Sequence, residues 1–112
     1  MLKTCINVVS EYKKWLAVRD PYDPGDGGYN YLDRLNSLLH DLREAGIKVN
    51  KGYYDEEKNI KIPDCIEFKT VKQAEKFYNE CKWLEGRDPH WFSCEVRIKQ
   101  EGKKVFFDGW EW

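Results

Sequence analysis

The chain has 112 residues, 41% hydrophobic, 35% charged and 15% aromatic, with 19 basic and 20 acidic residues for a net charge of −1. That length suits one domain spanning residues 1–112 around one core, and abundant aromatics supply the burial that a disordered chain of similar charge lacks. The charge balance argues against a protein that holds nucleic acid mainly by counterion release, and no apolar run approaches the roughly 20 residues that span a bilayer.

The opening segment, MLKTCINVVSEYKKW, lacks the basic region, apolar stretch and cleavage site of a secretory signal, so a soluble cytoplasmic protein is expected. Within residues 2–19, the β-branched Ile6, Val8 and Val9 and the apolar run Trp15-Leu16-Ala17-Val18 predict a strand. The alternative is a helix, because Leu2, Cys5, Val9, Tyr12 and Leu16 also recur at helical spacing.

Residues 20–30, DPYDPGDGGYN, contain two Pro and three Gly and exclude regular structure. Three uses compete for this long connection. A phosphate cradle on glycine N–H groups is opposed by Asp20, Asp23 and Asp26, and the spacing matches neither phosphate-binding glycine motif. A hard cation suits the carboxylates, yet their spacing is not that of an EF-hand loop. The third use is an acidic, aromatic-flanked contact surface for a basic partner, with Asp23, Asp26 and Tyr29. Against all three stands a plain solvated loop whose acids are favoured near a helix N-terminus.

A helix is predicted over Tyr31–Ala45, where Leu32, Leu35, Leu38, Leu39, Leu42 and Ala45 form one apolar stripe, with Asn30 as N-cap and Gly46 as its C-terminal stop. Ile47, Val49 and Tyr53 alternate as a strand, and residues 55–59 form a polar turn. Ile60, Ile62, Ile66 and Phe68 continue with period two. Pro63 cannot donate a ladder hydrogen bond, so this strand is bulged or at an edge there. Thr70 and Gln73 make a capping-box pattern for a second helix, whose stripe is Val71, Ala74, Phe77, Tyr78, Cys81 and Leu84 and which Gly86 closes. A loop at residues 86–89 follows. Phe92, Cys94, Val96 and Ile98 then alternate with Trp91, Ser93, Glu95, Arg97 and Lys99. A turn at Glu101-Gly102 returns residues 104–108 as a hairpin partner.

With a strand at the N-terminus, these elements predict an α+β fold on the ferredoxin-like split β-α-β plan. It would have an antiparallel sheet of four to five strands and two helices on one face. With a helix there instead, the fold is α+β with a smaller sheet.

The sequence assigns no catalytic residue, metal or cofactor. Cys5, Cys65, Cys81 and Cys94 form no C-x-x-C pair and read as reduced, mostly buried thiols. Cys81 and Cys94 lie mid-helix and mid-strand, unlike the paired ligands of zinc sites. His90 and Cys94 are four residues apart, about 13 Å along a strand and beyond hydrogen-bond reach. His40 lies beside the first helical stripe and reads as a surface or boundary residue. The ferredoxin-like plan is shared with RNA-recognition modules, but residues 58–68 lack their aromatic pair and carry Asp64 and Glu67. Charge is uneven along the chain: four basic residues and one acid over 1–19, two and six over 20–47, thirteen of each over 48–112.

The terminal strand places Phe106 and Phe107 on opposite sides. With Trp91, Trp110 and Trp112 it supplies more aromatic surface than one sheet face needs. The expected function is therefore a non-catalytic protein-binding module, acting through Trp91, Phe106, Trp110 and Trp112 on a sheet edge or face and through the acidic loop. One specific form is a small accessory protein or phage-type inhibitor of a larger host machine, and a homodimer through the same face is compatible. The alternatives are nucleic-acid binding through a basic N-terminal patch, and a ligand pocket or enzyme site beside residues 20–30.

Overall fold

A computed structural model describes residues 1–19, 31–88 and 94–111. Over these residues it is an α+β fold with three helices, α1 (Leu2–Arg19), α2 (Tyr31–Glu44) and α3 (Val71–Cys81). Six strands complete it: β1 (Tyr53–Asp55), β2 (Ile60–Ile62), β3 (Asp64–Glu67), β4 (Gly86–Asp88), β5 (Cys94–Glu101) and β6 (Lys104–Glu111). β1 and β2 form a separate hairpin. The other four make one antiparallel sheet in the order β3-β6-β5-β4.

The N-terminal segment is a helix, which corrects the strand expected there. Cys5, Val9 and Tyr12 are buried at 0%, 2% and 4% exposure, and this spacing of four and three puts them on one helical face. Burial of that face overrides the modest helix penalty of Ile6, Val8 and Val9. The split β-α-β order is therefore not the order of this chain, which follows the alternative with an N-terminal helix.

α2 and α3 pack on one face of the sheet, and α1 packs on both of them as an outer layer. The inward residues of the sheet are Ile66, Val96, Ile98, Val105 and Phe107, and they meet Leu35, Leu38, Leu39 and Leu42 of α2 and Ala74 and Phe77 of α3. α2 ends in a Schellman motif: Ile47 N–H donates to Leu42 O and Gly46 N–H to Arg43 O, both at 3.0 Å, with Gly46 at φ 86°. Ala45 lies past the last helical residue and is exposed, so it leaves the predicted stripe. Thr70 Oγ1 accepts from Gln73 N–H at 3.2 Å and caps α3. Val71, also expected inside, is 51% exposed in the first turn of α3.

Three further boundaries differ from expectation. After Gly46 the chain makes only a single bridge, Asn50 with Cys65, before β1 begins at Tyr53. The run from Ile60 to Phe68, expected as one strand bulged or at an edge at Pro63, is two strands of different sheets that part at Pro63, whose nitrogen has no N–H to donate. Gly86, expected to close a helix, instead opens β4, because residues 86–88 find partners in Cys94–Val96. A 3-10 turn at Lys82–Leu84 completes the helix and buries Leu84.

All four cysteines are free and buried. Burial pushes the Cys5 thiol up from 9.0 to about 11 and raises Cys81 as well. A thiol whose pKa is raised on folding contributes stability that is complete below its unfolded value. That stability is lost as pH climbs through the folded value. Stability to urea should therefore decline from about pH 9 upward. At neutral pH a water-soluble disulfide reagent should label the native thiols far more slowly than the unfolded ones. Rapid labelling of Cys5 or Cys81 in native protein would contradict this packing.

Candidate functional site

The helices cover one face of the sheet, and the alternation along β5 and β6 sends a second set of side chains to the other. Glu95 stands opposite Trp110, Arg97 opposite Asp108, Lys99 opposite Phe106, and Glu101 opposite Lys104. Two aromatic side chains therefore sit among charges on the open face. Phe106 and Trp110 are both half-buried, while Phe107, one residue on, is 3% exposed in the core.

The charges on this face largely compensate one another. Arg97 Nε lies 3.0 Å from Glu95 Oε1, and its guanidinium stands 5.8 Å from the centre of the Trp110 ring. Lys99 Nζ lies 2.8 Å from Glu101 Oε1, and that hydrogen bond raises the lysine pKa. These pairs are solvent-exposed on their cationic side and add little stability. They do fix the rim of the aromatic patch, as does the cation–π contact on Trp110.

The β1–β2 hairpin borders this face. β3 ends opposite Phe107, so β6 runs on beyond its neighbour. Lys61 of β2 reaches that stretch: its Nζ donates to Gly109 O at 2.7 Å and lies 3.4 Å from Asp108 Oδ1. At the other side of the junction, Asn50 and Cys65 exchange backbone hydrogen bonds of 2.8 and 3.0 Å. The turn of the hairpin is held by Asp55 Oδ1, which accepts from Glu57 and Lys58 N–H, and by a hydrogen bond from Tyr54 to Asn59. The result is a concavity of about 920 Å³, with Ile60, Lys61, Arg97, Phe106 and Trp110 in its lining.

The hairpin carries the aromatic surface that the sequence reading missed. Tyr53 is 62% exposed, Tyr54 56% and Ile60 45%. Three-residue strands with apolar side chains on both sides of a polar turn were the available signal. Alternation with Ile47 and Val49 instead assigns Tyr53 to a strand directly after Gly46. Of the residues singled out from sequence, the structure brings Phe106 and Trp110 together on one face. Asp23, Asp26, Tyr29, Trp91 and Trp112 lie outside the described residues, as do the Asp/Gly-rich loop and His90.

Among the described residues, no group of three His, Cys, Asp or Glu side chains is placed to hold a metal ion. No helix among them is long and apolar enough to cross a membrane. His40 is exposed, 3.8 Å from Glu44. No protein-family model, curated protein or solved structure matches this chain.

Proposed function

We propose that this chain is a non-catalytic protein-binding module whose contact surface is the open sheet face together with the β1–β2 hairpin. The observation that carries the reading is the pairing of half-buried Phe106 and Trp110 with a rim of mutually compensated charges. An aromatic centre within a polar rim is the anatomy of a protein interface. Phosphate contact would call for an excess of uncommitted cations. Of the five cations that line the concavity among the described residues, Lys61, Arg97 and Lys99 each pair with a carboxylate and only Lys51 and Lys104 do not. Tyr53 and Ile60, which share one face of the hairpin and line the concavity, extend the apolar area beyond the sheet. Large side chains exposed to this extent beside a half-buried aromatic pair favour partner contact over a purely solvated role.

Site-specific crosslinking tests the reading. A photo-reactive phenylalanine analogue is placed at Phe106, at Tyr53 and, as a control, at the exposed Glu75 of α3. Irradiation in the host cell should yield one discrete adduct from the first two positions and none from the third. A second copy of this chain in that adduct would make the module a homodimer. Equal yields from all three positions, or no adduct from the sheet face, would reject the proposal.

A further inference from the structure

α1 and α2 leave a furrow between them on the layer farthest from the sheet, with a volume of about 1020 Å³. Its apolar lining comes from Val8, Tyr12 and Trp15 of α1 and from Ala45 just past α2. The Trp15 ring stacks on Tyr12 with 5.9 Å between centres and 23° between planes, yet Trp15 is 43% exposed. A large aromatic ring held by a neighbour while open to solvent is a preformed anchor, because little conformational freedom is left to lose on binding.

The charges along the furrow have one sign. Glu11 of α1 and Asp41 and Glu44 of α2 line it, and its lining includes neither Lys nor Arg. Glu11 has an exposed i,i+3 contact of 3.6 Å with Lys14, and Glu44 an exposed i,i+4 contact of 3.8 Å with His40, which also lines the furrow. Both are weak, and Asp41 has no ion pair among the described residues. The furrow beside the hairpin differs in kind: Arg43, Lys51 and Lys61 line that one. From Asn7 to Trp15 the helical rise is about 12 Å, or a little over two turns. That length matches the contact stripe of one amphipathic helix laid between two others.

We propose that the α1–α2 furrow binds a basic amphipathic helix of a partner protein. Apolar residues of that helix pack on Val8 and Trp15, and its lysine or arginine side chains meet Glu11, Asp41 and Glu44. This surface lies on the opposite side of the molecule from the open sheet face, so the two contacts are compatible in one complex. The inference does not depend on the sheet-face reading.

The probe is a helical peptide of about 14 residues built from Leu and Lys in an amphipathic pattern, with a Leu/Glu peptide of the same pattern as comparison. Titration into the full chain should shift the backbone amide resonances of Val8, Trp15, Ser37 and Asp41 with the Leu/Lys peptide only. D41K/E44K should weaken that binding by about tenfold or more, as should raising salt from about 50 to about 500 mM. Lysines near the end of α2 suit the helix dipole, so this variant keeps its fold. Trp15→Ala should weaken binding at low and high salt alike, whereas Phe106→Ser should leave it unchanged. Equal binding of both peptides, shifts confined to the sheet face, or full binding by D41K/E44K would each overturn the proposal. So would sedimentation showing a dimer that Trp15→Ala dissociates, since the furrow would then belong to a second copy.

Discussion

Replacing Phe77 by alanine is expected to cost about 3–5 kcal/mol, a large share of the roughly 5–15 kcal/mol that stabilises an ordinary domain. Phe77 is fully buried on α3, where it joins the helix to the sheet. Its ring lies 5.1 Å from Phe68 at 43° and 6.1 Å from Phe107 at 72°. Truncation removes both ring contacts and leaves a cavity between rigid neighbours, which strands and a capped helix close poorly. Phe77→Leu keeps most of the apolar volume and should cost less than half as much. Urea denaturation followed by far-ultraviolet circular dichroism gives both values. If Phe77→Ala lowers stability by less than about 1 kcal/mol, the three-ring cluster is not the junction described here.

The same cluster shows what was readable beforehand. Phe77 was placed on a buried helical face because Ala74, Phe77 and Cys81 recur at 3.6-residue period, and Phe107 was separated from Phe106 by simple alternation. Such one-dimensional periodicities survive folding because each element buries a single face. The N-terminal segment was harder, since its β-branched residues and its helical spacing gave opposite answers. Only the presence of α2 and α3, which α1 covers, decides between them. That uncertainty hid the α1–α2 furrow completely: with residues 2–19 taken as a strand, Val8, Glu11 and Trp15 share no face with Asp41. The hairpin was hidden for another reason. Its strands are three residues long, too short to display a period, and Lys61 docks on a backbone carbonyl that no side-chain pattern announces.

Gly109 is the position where one side chain should disturb both sides of the sheet. Strand interiors usually favour larger residues, and glycine there signals a close approach. A Cβ on Gly109 would lie 2.6 Å from Leu32 Cδ1 and 3.2 Å from Leu35 Cδ2, so the first turns of α2 rest directly on the β6 backbone. The carbonyl of the same residue accepts the Lys61 ammonium at 2.7 Å, which ties the hairpin to the strand. Gly109→Ala adds a single methyl. Leu32 can yield at its terminal carbon, and the lower entropy of the unfolded alanine chain offsets part of the contact, so the net change should stay within about 1 kcal/mol. Gly109→Val adds a branched side chain that must push α2 off the sheet, at an expected cost of about 1–3 kcal/mol. The accompanying backbone shift should lengthen the Lys61 contact, and amide exchange should speed up at Tyr54 and Lys61 in particular. Leu32→Ala opens the space that valine needs, so the double variant should be more stable than the sum of the two single losses implies. Strict additivity in that cycle, with hairpin exchange unchanged, would mean that Gly109 does not seat α2 and that the hairpin is held independently of β6.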